Sequence, residues 1–355
     1  MSAKDRINAM LKSKGVKEHV LNFEDKVDYI VSSGSLKLDI EMDGGIGPGI
    51  VRFAGPTESG KTSSCLEFAK NFQKTVENSH VIYFKAEGRF SKEIEERSGL
   101  LEAQLDVIET NIYEVVINII RECVNNNDDK CRYMFVIDSM DALISAADSQ
   151  KGPEEANRVA GGALMTSDFL KKMALSLGRR GHVCAMISQV RSVIKASQYA
   201  PSDPNETITV ASGGNAALHY ADWILEFKNK NSKKQTLYSD AAKTKKVGHN
   251  CQIQFKKSPN EKTMDLVAYP VKHGRTGGNS IWVEKEILEV LRQYNFITGT
   301  SWLSFSPEVF SQLKEAKIKD VPEKLQGENN MLDFLESRPE IVTFYYNYFK
   351  DAYIK

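Results

Sequence analysis

The chain has no excess charge of either sign: 47 Lys and Arg stand against 47 Asp and Glu in 355 residues. Without a global basic field, any nucleic-acid surface has to be local. A paired-cysteine pattern is also missing. Cys65, Cys123, Cys131, Cys184 and Cys251 are an odd, widely spaced set with no C-x-x-C, which argues against a disulfide framework and for a reducing cytoplasm. Cys184 in "HVCAMI" and Cys251 in "CQIQF" read as small core residues. The opening "MSAKDRINAMLKSKG" is charged throughout, without an apolar signal region, and no run approaches the length of a membrane span. The expectation is a soluble cytoplasmic protein with no membrane contact. Internal repeats and low-complexity tracts are absent. The strongest local bias is 228–246, "KNKNSKKQTLYSDAAKTKK", with seven lysines to one aspartate, either a solvated loop or a contact for phosphates.

What is present is an alternation of apolar strands and amphipathic helices, after a weakly helical 4–12 and a polar connector. "GIVRFAG" (49–55), "HVIYFKAEG" (80–88), "YMFVIDSM" (133–140) and "HVCAMISQV" (182–190) read as strands, the continuous apolar ones suiting a parallel sheet buried on both faces. Residues 61–76, 111–124 and 164–181 carry helical spacing. This order implies right-handed βαβ units and a doubly wound α/β sheet. "CQIQFKK" and "TMDLVAYPV" alternate as antiparallel strands, and "EKEILEVLRQYNFI" and "MLDFLESRPEIVTFYYNYFKDAYI" are helical, suggesting a small C-terminal domain. From residue 188, "SQVRSVIKASQYAPSDPNETITVASGGNA" loses periodicity for about twenty residues, the mark of a working loop if it lies inside a compact domain.

The chemistry begins at "GPTESGKT" (55–62), which fits G-x-x-x-x-G-K-[ST] between a strand and a helix. Its glycines let successive N–H groups face a phosphate, and the helix N-terminus adds its dipole. Lys61 would reach the β- and γ-phosphates and the Thr62 hydroxyl would ligate Mg²⁺. Gly55, Pro56, Thr57, Glu58, Ser59, Gly60, Lys61, Thr62 and Ser63 form the expected ATP-phosphate set. Asp138 ends a strand after four apolar residues, where open α/β sheets bind ligands; it is expected to hold Mg²⁺ through water, with Ser139 tightening the network. Glu87 ends a third strand and can orient and deprotonate an attacking water, or merely cap the next turn. Gln189 ends a fourth, where an amide can sense a γ-phosphate. The glycine cluster "GGIGPG" (44–49) needs no role beyond a turn.

The run "SSGSLKLDIEMDGGIGPGIVRFAGPTESGKTSS" resembles the lead-in to the ATPase core of the RecA recombinase family, and "AEG", "VIDSMDAL", "ISQVR" and "SGGNAALHYAD" follow in that family's order. The resemblance spans roughly residues 30 to 345 and looks most like the bacteriophage UvsX-type branch. It implies a RecA-like P-loop ATPase core with a mostly parallel central sheet, an N-terminal helical arm (1–33), the core itself (34–275) and a small C-terminal α/β domain (276–355). It further implies a DNA-dependent ATPase using ATP and Mg²⁺, which forms a helical filament on single-stranded DNA and exchanges strands with homologous duplex DNA. Mediator and single-strand-binding proteins are partners of such a machine, and the host cytoplasm its place if phage-encoded.

By the same resemblance, Lys61 and Thr62 match the phosphate-loop pair, Glu87 the catalytic glutamate, Asp138 the Mg²⁺-side aspartate and Gln189 the glutamine relaying γ-phosphate occupancy to DNA. DNA loops fall near 148–162, with Arg158 as a phosphate contact, and near 190–213, with Arg191, Lys195, Tyr199 and Ile208 as contacts, closing at Gly213, Gly214 and Asn215. Lys257 and Lys256 correspond to residues reaching the ATP of a neighbouring subunit. The chain departs from the pattern at Lys85, where an acid is usual, and at Ile94, where an aromatic ring commonly stacks on adenine. A ring-forming helicase-type motor and a regulatory ATP-binding module share the phosphate loop and stay as alternatives.

Overall fold

The computed structural model of the chain describes residues 2–13, 29–87, 90–127, 130–150, 161–192, 209–211, 219–229, 235–239 and 242–354. A helix α1 (Ala3–Ser13) comes first, and α2 (Leu36–Glu41) leads into β1 (Gly49–Gly55). There follow α3 (Lys61–Thr75), β2 (Ser79–Lys85), α4 (Lys92–Ser98), β3 (Leu105–Glu109), α5 (Tyr113–Asn125), β4 (Arg132–Asp138), α6 (Ala146–Ser149), α7 (Gly161–Arg180) and β5 (Val183–Ser192). The sheet is completed by β6 (Thr209–Ala211), β7 (Trp223–Phe227), β8 (Thr236–Tyr238), β9 (Lys246–Lys257) and β10 (Leu266–Lys272).

Among the described residues these strands make a ten-stranded sheet whose main path runs β10-β9-β7-β1-β5-β4-β2-β3, with β6 on β5 and β8 on β9. From β7 to β3 every pairing is parallel, while β9 and β10 close the far edge antiparallel. The expected mostly parallel α/β core is therefore present. Every residue of β1 is buried, because the sheet is covered twice. Val51 and Phe53 face a cluster with Cys65, Leu66 and Phe68 of α3. Ile50 faces another with Val116 and Ile120 of α5 and Phe169 and Leu170 of α7. A buried Phe side chain contributes roughly 1.5–3 kcal/mol, so each face of β1 anchors a helix layer.

Three elements lay below the sequence signal. In β3 three of the five residues are exposed, so no apolar run marks it; α4 has no buried residue. The aperiodic segment after 188 is also not wholly without structure. Strand β5 continues to Ser192 and pairs antiparallel with β6, Val190 opposite Ala211 and Ser192 opposite Thr209, so the two ends of that loop meet as a ribbon.

The remaining chain forms α8 (Val283–Gln293), β11 (Ile297–Thr298), β12 (Trp302–Phe305), α9 (Pro307–Glu315), β13 (Lys324–Gln326), α10 (Gly327–Ser337) and α11 (Pro339–Tyr353). Its core gathers Ile287, Leu291, Leu303, Leu335, Ile341, Tyr345 and Phe349. The run read as one helical stretch from 331 divides at Arg338, with Pro339 opening α11; proline lacks the N–H that a continuous helix needs, yet suits a first turn. The carboxylate of Glu286 on α8 is fully buried. It accepts from the Ser35 hydroxyl and from the Leu36 and Lys37 amides, both at 3.1 Å, capping α2 across 250 residues of sequence.

Candidate active site

The loop after β1 takes its shape from two glycines. Gly55 has φ 155°, and a Cβ there would meet the Phe227 carbonyl oxygen at 2.7 Å and its Cβ at 2.9 Å. Gly60, at φ 100°, follows Glu58 at φ 59°; such left-handed residues turn successive N–H groups to one side and make an anion cradle at the start of α3. Ser59 is buried and its hydroxyl donates to the Pro56 carbonyl at 2.8 Å. Lys61 opens α3, is only 7% exposed, and donates Nζ to the carbonyls of Gly55 at 2.9 Å and Pro56 at 2.6 Å. The lysine charge is thereby held over the cradle. Thr57, Glu58 and Ser63 are exposed.

Parallel register brings the other strand ends beside this loop: Gly55 lies opposite Gln189, and Asp138 opposite Lys85 and Ile187. The Thr62 hydroxyl donates to Asp138 Oδ2 at 3.0 Å, and the Tyr83 hydroxyl donates to the same oxygen. Burial pushes the Asp138 carboxyl above its usual range, opposed by those two hydroxyl donors. The Asp138 carbonyl takes the amides of Ala86 at 2.9 Å and Glu87 at 3.2 Å, which fixes the turn that carries Glu87. The Asp138–Ser139 peptide is cis. The Ser139 hydroxyl donates to Glu87 Oε1, and Gln189 Nε2 reaches that oxygen at 3.4 Å.

The donor set fits Mg²⁺. A hydroxyl and a carboxylate stand 3.0 Å apart, and among the described residues no group of three or more His, Cys, Asp or Glu forms a metal cage. Magnesium prefers such a sparse set of hard oxygens, keeping water and taking its other ligands from substrate phosphates.

Gln189 has a second tie: its main-chain N–H donates to Asp141 Oδ2 at 2.6 Å. Beneath it, buried Arg52 donates Nε to the Ser188 hydroxyl at 2.9 Å. Arg191 is placed on β5 by its main chain. Arg158, Lys195, Tyr199, Ile208, Gly213, Gly214 and Asn215 lie outside the described residues.

Lys256 and Lys257 are not brought to Glu87 within one chain. They end β9, which is separated from β2 by β7, β1, β5 and β4. Lys257 donates to the His219 carbonyl at 2.9 Å, and Lys256 lies 3.7 Å from Glu226. Lys85 pairs with Glu109 at 3.2 Å, and Ile94 is half-buried against the core. Sequence reasoning missed Tyr83, Asp141 and Arg52. For Tyr83 a signal existed: a tyrosine inside the apolar run Val81–Phe84 needs a buried partner for its hydroxyl.

Sequence comparison identifies the family. Residues 5–266 match the RecA N-terminal domain family. Over 319 residues the chain is 25% identical to Protein RecA of Rippkaea orientalis, covering 88% of this chain and 79% of that one. Over 316 residues it is 27% identical to Protein RecA of Rickettsia africae, covering 88% and 80%. With its parallel sheet, its phosphate-type loop and this match over most of its length, the chain belongs to the RecA family.

Proposed function

We propose that the chain is an ATP-dependent recombinase of the UvsX-type branch, acting in a reducing cytoplasm, which assembles on single-stranded DNA and pairs it with homologous duplex. The observation that carries the reading is the convergence of Lys61, Thr62, Asp138, Glu87 and Gln189 at adjacent ends of β1, β4, β2 and β5. The loop amides and Lys61 bind the β- and γ-phosphates, and Thr62 and Asp138 hold the Mg²⁺ side. Bound Mg²⁺ supplies charge neutralisation at the phosphate oxygens. Glu87 orients the attacking water and accepts its proton, with Ser139 and Gln189 fixing the carboxylate. Gln189 joins this carboxylate to the loop beyond β5, so nucleotide occupancy and DNA contact bias one element. Lys257, on the opposite part of the sheet, serves the ATP of a neighbour in the filament. Head-to-tail contacts that do not close give such filaments, and mediator and single-strand-binding proteins would regulate loading.

The lysine-rich 228–246 and the exposed helix α1 are compatible with DNA and subunit contacts respectively. No described helix is long and apolar enough to cross a membrane. Electron microscopy of the chain with single-stranded DNA and a slowly hydrolysed ATP analogue tests the reading. Helical filaments support it; closed rings favour a helicase-type motor, and monomers without DNA-stimulated hydrolysis favour a regulatory module.

A further inference from the structure

Tyr83 is 1% exposed on β2, its ring 4.3 Å from that of Phe90. A phenylalanine would fill the same volume, and a buried hydroxyl is costly unless it is hydrogen-bonded. Here the hydroxyl has a specific acceptor, Asp138 Oδ2, which also accepts from Thr62 at 3.0 Å. Two donors thus occupy one carboxylate oxygen. Asp138 Oδ1 has no protein hydrogen bond among the described residues. The arrangement divides the carboxylate: one oxygen is pinned from the core and from the phosphate loop, while the other is left for the metal's water shell.

We propose that Tyr83 is a positioning residue for the Mg²⁺ side of the nucleotide site, locking the Asp138 carboxylate in the rotation that presents Oδ1 and keeps Thr62 oriented. This rests on the Mg²⁺–nucleotide reading of the loop. Without the hydroxyl, Asp138 keeps its place on β4 but exchanges its two oxygens freely, so metal binding loses order that nucleotide binding alone does not need. Groups that hold a metal-side residue in place typically contribute 10–100-fold to metal affinity. Because Tyr83 acts through Asp138, the effect belongs at the lower end.

The test is a Mg²⁺ titration of fluorescent ATP-analogue binding to the full chain, in parent, Tyr83→Phe and Tyr83→Leu, with the same binding measured in EDTA and thermal unfolding alongside. The expected result is an about 10-fold higher Mg²⁺ half-saturation in Tyr83→Phe, with unchanged EDTA binding and unchanged thermal midpoint. Tyr83→Leu shows the same Mg²⁺ shift with a lower midpoint, since it also loses ring packing. Electron paramagnetic resonance with Mn²⁺ in place of Mg²⁺ reads the same loss as free metal. An unchanged half-saturation in Tyr83→Phe overturns the proposal. So does a parallel loss of EDTA binding, or loss of cooperative unfolding, because the hydroxyl would then be structural. Failure of the underlying reading looks different: the parent binds no nucleotide at any Mg²⁺ concentration, or Lys61→Ala binds as the parent does.

Discussion

Gln189 Nε2 lies 3.4 Å from Glu87 Oε1, so a residue of the strand that leads into the 193–208 segment touches the carboxylate proposed to activate water. In the proposed function, this side-chain amide links the hydrolytic carboxylate to the root of the loop. Glu87→Gln keeps the contact geometry but cannot take a proton. Its ATP-dependent DNA affinity is expected to persist while steady-state hydrolysis falls by about 10²–10⁴; parent-like turnover would remove Glu87 from its role. Gln189→Ala should leave nucleotide-free DNA binding intact and abolish the ATP effect on it. Linkage makes that loss visible both ways, as lost tightening of ATP by DNA.

Lys257 offers a charge at the end of β9, remote from Glu87, bonded in the single chain to the His219 carbonyl at 2.9 Å. Lys257→Ala is expected to spare ATP binding by isolated subunits and to lower DNA-stimulated hydrolysis, by up to the ~10³ associated with a cation supplied in trans. Stopped-flow nucleotide binding and a DNA-titrated ATPase assay separate the two. An undiminished stimulated rate would place the lysine outside the site.

The helix that starts at Lys61 is fastened further along by a buried pair. Lys70 Nζ bonds Glu67 and the Gly278 carbonyl, and the Ser280 hydroxyl donates to Glu67 Oε1 at 3.1 Å. Lys70→Met leaves the Glu67 carboxylate buried without its cation, a change that costs roughly 3–5 kcal/mol. Adding Glu67→Gln should recover much of that loss, because breaking a buried pair costs more than replacing it. Chemical denaturation of the two singles and the double measures the coupling.

Two carboxyls at the junction of α2 and α8 give a pH signature. Burial raises Glu286 to about 7 and Asp39 to about 6, even though hydroxyl and amide donors favour their charged forms. A carboxyl raised on folding stabilises the protein fully below its unfolded value, and that contribution is lost as pH rises through the folded value. Glu286→Gln mimics the protonated form. Its stability relative to the parent should therefore climb between about pH 4.5 and 7, by at most about 1.4 kcal/mol per pH unit. Thermal unfolding of both chains across that range reads the difference, and a flat difference would refute the assignment.

The strand and helix alternation of the core was legible because both faces of its sheet are covered. Strands such as Met134–Ile137 then appear as unbroken apolar runs, and the phosphate loop declares itself by glycines that local backbone geometry demands. Short or half-exposed elements gave no such signal: β3, the two- to four-residue strands β11, β12 and β13, and the break at Arg338 before Pro339. Their stability comes from neighbours rather than from their own pattern.

Local sequence determined which residues end the central strands, since periodicity and glycine placement are properties of a few consecutive residues. Only the tertiary structure decided what those ends touch. Strand order and parallel register set Asp138 beside Lys85, Gly55 beside Gln189, and a tyrosine hydroxyl on a carboxylate 55 residues away. Such pairings follow from how helices pack the sheet, a nonlocal balance of burial and hydrogen bonding that no short window of residues contains.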